Sequence, residues 1–243
     1  MMFRYLDFET VSSCDRVCPT CIRNSHPDKE AIQSWHEKKY LPVGIIYMAV
    51  AQALDMGFTG GICLSHYNEP LMDERLPDII DKIRTMGKFD EIFLNTNGDF
   101  LTEEIAESLD GKLDRIIVTL YMDEPKKSER AKWVQSLFKR TVVHANIMSD
   151  HIATHFSPSF PVKELAEKYR ESSCTEPQIR AVINHRAQYL LCCDDVIGNF
   201  DLGTFPEVSL FDYWYSPKRV ALVSNLAGGN RAYHSYCYTC PRS

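Results

Sequence analysis

Three features of the sequence predict an α/β fold built on a parallel sheet. Strand-like and helix-like segments alternate from Phe3 to about Met148, and such alternation implies βαβ units. Apolar runs such as Ile116-Ile117-Val118 are expected of parallel strands buried on both faces. The chemically distinctive residues follow the strands, where the carboxyl ends of a parallel sheet gather ligand sites.

The elements are expected in this order. Phe3 to Glu9 alternates apolar and polar residues and predicts a short strand, followed by a cysteine-rich loop. Arg23 to Tyr40, with His26, Trp35 and His36, predicts loop or broken helix. Pro42 opens a helix to about Asp55, with Ile45, Ile46, Ala49, Val50, Ala53 and Leu54 on one face and Gly57 ending it. Gly60 to Ser65 has strand length. Asp73 to Met86 is amphipathic through Leu76, Ile79, Ile80 and Ile83. Glu91 to Leu94 is a third strand, and Thr102 caps the next helix. Arg115 to Leu120 predicts a strand, Lys126 to Arg140 a helix, Val142 to Met148 the fifth strand, and Pro161 to Arg170 a further helix.

The net charge of −6 and the lack of a long Lys/Arg block argue against nucleic acid and anionic membranes as partners. No apolar stretch has the length of a signal peptide core or a membrane span. Nine cysteines, an odd number without a signal peptide, point to a reducing, cytoplasmic setting and to metal ligation.

Cys14, Cys18 and Cys21 fall within eight residues, with gaps of three and two. Such a loop can bring three sulfurs to one object. A tetrahedral zinc needs a fourth ligand from elsewhere. A four-iron cluster on three thiolates keeps one iron open. Ser65-His66-Tyr67-Asn68-Glu69-Pro70-Leu71 follows the second strand, and Asn95-Thr96-Asn97-Gly98 follows the third. Thr119 and Tyr121 end the fourth. Further on, Cys174-x17-Cys192-x44-Cys237-x2-Cys240 closes the chain, beside Cys193.

Cys-x3-Cys-x2-Cys resembles the cluster loop of the radical S-adenosylmethionine (radical SAM) superfamily. The later cysteines resemble its Twitch domain, a reduced SPASM domain, with spacing similar to the 2-deoxy-scyllo-inosamine dehydrogenase type. The resemblance implies a partial (β/α)6 TIM-like barrel at residues 1–160 and a small auxiliary-cluster domain at 161–243. It implies two 4Fe-4S clusters, one on Cys14, Cys18 and Cys21 and one on Cys174, Cys192, Cys237 and Cys240. It places S-adenosyl-L-methionine at Asn68, Glu69, Asn97 and Thr119, with Glu69 on the methionine ammonium and Thr119 on the ribose. Three positions depart from the family: Thr20 stands where an aromatic is common, Asn68 where glycine is usual, and Ala187 where glycine precedes the second auxiliary ligand. The implied reaction is cleavage of the cofactor to a 5′-deoxyadenosyl radical that abstracts hydrogen from a substrate C–H bond.

Three function classes follow. The first is oxidation of a small polar substrate, with the second cluster accepting an electron. The second is maturation of a short ribosomal peptide by thioether formation or epimerisation, in which Cys193 or Cys63 donates hydrogen. The third is a zinc-binding module without catalysis. Only 13 residues precede Cys14 and three follow Cys240, so no leader-binding domain is expected and the small substrate is favoured. A flavodoxin- or ferredoxin-type protein is the expected electron donor. Candidate polar contacts are His66, Tyr67, Asn97, Tyr121, Asp123, His144, Asn146, His151, His155 and Arg180.

Overall fold

The computed structural model describes residues 2–18, 21–25, 28–30, 32–122, 125–147 and 163–240. Among the described residues, seven strands form one sheet: β1 (Tyr5–Phe8), β2 (Gly61–Cys63), β3 (Glu91–Thr96), β4 (Arg115–Leu120), β5 (Val142–Ile147), β6 (Arg180–Ile183) and β7 (Tyr189–Leu190). Their spatial order is β5-β4-β3-β2-β1-β6-β7. Every pairing is parallel except the β6–β7 hairpin. The α/β, mostly parallel architecture expected from the sequence is therefore present.

The first five strands stand where the sequence places them. β6 and β7 are additions: β6 lies beside β1, with Tyr5 opposite Arg180 and Asp7 opposite Val182. These strands come from beyond residue 160, so the sheet itself runs across the expected boundary between residues 160 and 161.

Strand periodicity decides what each face does. Even-numbered residues of β1 to β4 (Leu6, Phe8, Ile62, Ile92, Leu94, Ile116, Val118 and Leu120) are fully buried under the helices. Odd-numbered Tyr5, Asp7, Cys63, Phe93, Asn95, Arg115, Ile117 and Thr119 line a cavity on the other face. The run Ile116-Ile117-Val118 is thus buried against helices on one face only; Ile117 is half-buried at the cavity.

The helices cover the apolar face as their spacing requires. Val43–Asp55 buries Ile46, Ala49, Val50 and Ala53. Leu76–Met86 buries Leu76, Ile79, Ile80 and Ile83. Thr102 caps Glu103–Leu109 by accepting from the Ile105 amide at 3.2 Å. The helix from Lys126 stops at Leu137, short of Arg140, because Phe138 turns extended.

The C-terminal third is tied to this core. Trp214 packs edge-on against Phe3 at 5.0 Å, and the Arg219 guanidinium covers its other side at 3.4 Å. Tyr189 and Tyr213 stack at 3.9 Å, and the Tyr213 hydroxyl donates to the Leu190 carbonyl. Among the described residues, no helix is long and apolar enough to cross a membrane.

Candidate active site

At the carboxyl ends of the strands lies a cavity of about 570 Å³. Cys14, Cys18, Cys21, Asn68, Glu69, Asn97, Thr119, Cys63 and Cys193 all line it. The structure therefore brings together the N-terminal cysteines and every residue expected around the cofactor.

The cysteine loop is held by the loops after β2 and β3. The Asn97 amide donates to Asp15 Oδ1 at 2.9 Å and lies 3.8 Å from Cys14 Sγ. Arg16 pairs with Asp99 at 2.5 Å and covers the Tyr121 ring at 4.9 Å. Arg23, buried, donates to the carbonyls of Ser12 and Tyr67. The Glu69 amide donates to the Ser13 carbonyl at 2.8 Å. Five polar links thus fix a segment that has almost no secondary structure of its own.

Burial pushes the Cys14 thiol up to about 11 and raises Cys21 as well. The Tyr121 phenol is pushed up to about 12, first by burial and then by Cys18, Cys21 and Cys14. All three sulfurs are therefore felt at one phenol, although their positions span eight residues. A bound metal centre reverses this trend by deprotonating coordinating thiols. Among the described residues, no group of three or more Cys, His, Asp or Glu side chains is arranged to hold a single metal ion. The donor set fits an iron–sulfur cluster: three soft thiols with one corner left open.

Glu69 is 1% exposed. Its Oε1 accepts from the Leu71 amide at 3.0 Å and Thr96 Oγ1 at 2.6 Å, and its Oε2 accepts from the Asn97 amide at 2.8 Å. Burial nonetheless pushes this carboxyl up to about 7. Asn68 keeps the turn by a side-chain device: its Oδ1 accepts from the His66 amide at 2.8 Å, and its buried Nδ2 has no partner among the described residues. It does not use the positive φ that glycine would offer. Gly98 does, at φ 74°, and a Cβ there would meet Val118 at 2.7 Å. Thr119, on β4, sits opposite Asn146 of β5.

None of the nine cysteines, all of them described, forms a disulfide. The C-terminal four lie outside the lining of this cavity. Burial pushes Cys237 up to about 12, with Cys240 and Cys174 adding to it. Burial also raises Cys192 far above its ordinary value, with Cys193, Asp194, Asp195 and Cys174 adding to it. Cys174 thus adds to the shift of both Cys192 and Cys237. Cys193 instead lines the large cavity, its sulfur 3.7 Å from Glu176 Oε2. Ala187 adopts φ 59° in the β6–β7 turn, a conformation that favours the glycine of the related pattern.

Of the other candidate contacts, His66, Tyr67, Tyr121 and Arg180 line the cavity. His144 is exposed on the edge strand β5, opposite Ile117. Asp123, His151 and His155, like Thr20 and His26, lie outside the described residues. Sequence reasoning missed Asp7, Arg23, Arg115 and Glu176, which also line the cavity. For Asp7 a signal existed: in the alternating run Tyr5-Leu6-Asp7-Phe8-Glu9, the face opposite Leu6 and Phe8 must look inward to the cavity.

No family model matches the chain. It is similar, at 23% identity over 241 residues, to the S-adenosyl-L-methionine-dependent 2-deoxy-scyllo-inosamine dehydrogenase of Niallia circulans, covering 98% of this chain and 93% of the relative. It is 27% identical over 121 residues to a GTP 3′,8-cyclase of Clostridium perfringens, covering 48% of this chain and 34% of that protein. Among solved structures, BtrN in complex with AdoMet and 2-DOIA superposes with a TM-score of 0.76 at 21% identity, over all of this chain and 94% of BtrN. Streptococcus suis SuiB bound to the precursor peptide SuiA gives 0.67 at 13% identity, over all of this chain and 75% of SuiB. The resemblance to radical SAM enzymes holds over the full chain, and the fold is theirs.

Proposed function

We propose that this chain is a radical SAM oxidoreductase that oxidises a small polar molecule after abstracting hydrogen from one of its C–H bonds. The observation that carries this reading is the convergence of Cys14, Cys18, Cys21, Glu69, Asn97 and Thr119 on one cavity. Likeness over the whole length to a dehydrogenase of this chemistry supports it.

In this reading Cys14, Cys18 and Cys21 hold one 4Fe-4S cluster, and Cys174, Cys192, Cys237 and Cys240 hold a second. When bound, the first cluster and S-adenosyl-L-methionine supply the 5′-deoxyadenosyl radical, and the second supplies an electron sink. The protein's own residues bind and orient. Glu69 Oε2, which accepts one hydrogen bond within the protein, has a second lone pair for the methionine ammonium. Asn68 offers its bare Nδ2 to the same end of the cofactor, and Thr119 offers its hydroxyl to the ribose. Asn97 positions Cys14 and the loop around it. Residues 1–160 supply the first five strands of the barrel, and 161–243 supply β6 and β7 of the same sheet together with the auxiliary domain. The electron donor is a flavodoxin- or ferredoxin-type protein, and the setting is cytoplasmic. Nucleic acid and membranes are not partners.

A second reading is favoured by one observation: Cys193 and Cys63 both line the cavity. A thiol there can return a hydrogen atom, the step that epimerising peptide maturases need. One experiment separates the readings. Anaerobic reconstitution should give a brown protein with about eight irons per chain that forms 5′-deoxyadenosine under a reductant. A colourless zinc protein would leave only a binding module. With substrate, ketone formation that is retained in Cys193→Ala establishes oxidation. Deuterium at an inverted carbon establishes epimerisation.

A further inference from the structure

We propose that Asp7 is the proton acceptor of the oxidation, taking the hydroxyl proton of the substrate at Oδ1. The assignment rests on the reading of this cavity as the place where hydrogen is abstracted. Asp7 stands on the cavity face of β1, between β2 and β6, and is 3% exposed. Its two oxygens are treated differently. Oδ2 accepts from Arg180 Nη1 at 2.8 Å, while Oδ1 is buried and, among the described residues, has no hydrogen-bond partner.

Arg180 is itself locked. Its Nε donates to Glu176 Oε2 at 3.0 Å, and its guanidinium lies 4.6 Å over the Tyr5 ring. The carboxylate is therefore held by one oxygen, and the other lies buried in the cavity wall without a donor. A buried carboxylate oxygen without a donor is destabilising, and such an atom calls for a functional explanation. A substrate hydroxyl supplies the missing donor.

The other groups lining the cavity are poorer acceptors. His66 also has a bare nitrogen, Nε2, but burial pushes its imidazole down to about 4. Glu69 already takes three donors from the protein. Burial pushes Cys63 and Tyr121 up to about 12, so both hold their protons. Glu176 is committed to Arg180. Burial pushes Asp7 up to about 6, against the pull of Arg180 and with a small further push from Glu176. It is thus ionised at neutral pH yet more basic than an ordinary carboxylate, the range that suits a general base.

The step balances. A secondary alcohol that has lost its C–H hydrogen atom is a carbon radical bearing O–H. Asp7 Oδ1 takes the O–H proton and the C–O bond becomes C=O; the electron released would pass to the oxidised iron–sulfur cluster that Cys174, Cys192, Cys237 and Cys240 would hold. The substrate has then given up one hydrogen atom, one proton and one electron.

The test uses the reconstituted holoenzyme with 2-deoxy-scyllo-inosamine as the probe, and counts 5′-deoxyadenosine and ketone separately. Asp7→Asn should form 5′-deoxyadenosine at a rate near that of the wild type, while ketone per 5′-deoxyadenosine falls about 100-fold. Asp7→Glu should recover part of the ketone. Asp7→Ser replaces Asp7→Asn if the latter misfolds, judged by iron content. Unchanged ketone per 5′-deoxyadenosine in these variants overturns the proposal. A parallel fall in both products also overturns it, because the carboxylate would then act in binding. Wild-type protein that forms 5′-deoxyadenosine but oxidises neither this probe nor other small polyols leaves no oxidation for Asp7 to serve, and rejects it. Wild-type protein that forms no 5′-deoxyadenosine rejects the radical reading, and this assignment with it.

Discussion

The two groups of cysteines are built by opposite means. Cys14, Cys18 and Cys21 sit on one short loop, at the rim of the cavity, and are positioned by contacts to other loops: Asn97 on Asp15, Asp99 on Arg16, and the Tyr67 carbonyl on Arg23. Cys174, Cys192 and the Cys237–Cys240 pair come from three places in the last third. They are brought together by backbone and packing. The Cys174 amide donates to the Leu226 carbonyl at 2.9 Å, and buried Arg231 donates to the carbonyls of Ser172 and Cys240. A local loop encodes its geometry in spacing and borrows its rigidity. A dispersed set has no local geometry and depends on the fold around it.

That contrast is broken most sharply by removing one thiol from each group. Cys14→Ala should abolish 5′-deoxyadenosine formation, because two thiolates cannot replace three around an open iron. Cys237→Ala should leave cofactor cleavage in place and stop product formation, or unfold the C-terminal third. Iron content, 5′-deoxyadenosine and product, measured together, decide between these outcomes. Normal 5′-deoxyadenosine in Cys14→Ala would remove the radical reading.

A smaller effect is expected at Glu69. Glu69→Gln keeps the shape but loses a charged acceptor, a loss of about 1.5–3 kcal/mol where it meets a cation. Cofactor affinity should weaken by roughly 10- to 100-fold, with iron content unchanged. Unaltered affinity in a binding titration would mean that this carboxylate serves only to join Thr96 and Asn97 to Leu71.

The local loop was legible in the sequence, and the dispersed parts were less so. Five strands, the helix faces and the Thr102 cap follow from period and capping residues. β6 leaves no such trace. It is four residues long and starts with Arg180, and its partner strand is more than 170 positions away in the chain. The Asp7–Arg180 pair is hidden for the same reason, since no local pattern links residues on strands that far apart. The auxiliary cysteines were legible only through resemblance, because gaps of seventeen and forty-four carry no geometry of their own.

Acid stability sharpens the comparison within the cavity wall. His66 is lowered to about 4 from its ordinary 6.5, by burial. A histidine lowered on folding contributes stability above pH 6.5 that is lost as pH falls toward 4. Asp7, raised to about 6, acts in the opposite sense: its burial favours the folded state more as pH falls through that value. The two offset each other between about pH 4 and 6. Asp7→Asn removes the offset, so this variant should lose on the order of 1 kcal/mol more than wild type on acidification from pH 6.5 to 4. Denaturant unfolding of the cluster-free protein at several pH values measures it. Parallel curves for the two proteins would show that these groups do not titrate as opposed partners.

The smallest expected effect lies at the turn that leads into the dispersed group. Ala187 holds φ 59°, its amide donates to the Asn184 carbonyl at 2.8 Å, and its carbonyl accepts from Phe205 at 2.8 Å. The turn is therefore fixed by its bonds, and the side chain must tolerate the left-handed backbone. That costs roughly 1–2 kcal/mol for a residue with a Cβ. Glycine removes the clash but adds freedom to the unfolded chain, a cost of about 0.4–1 kcal/mol. Ala187→Gly should therefore stabilise the protein by roughly 0.5–1 kcal/mol, a rise of about 1–4 °C in Tm for a chain of this size. Because the turn joins β6 to β7 just ahead of Cys192, the gain should appear in the cluster-free protein. Iron content and cofactor cleavage should not change. A lower Tm in Ala187→Gly would show that the methyl group, 9% exposed in the core, contributes more by packing than the backbone loses by strain.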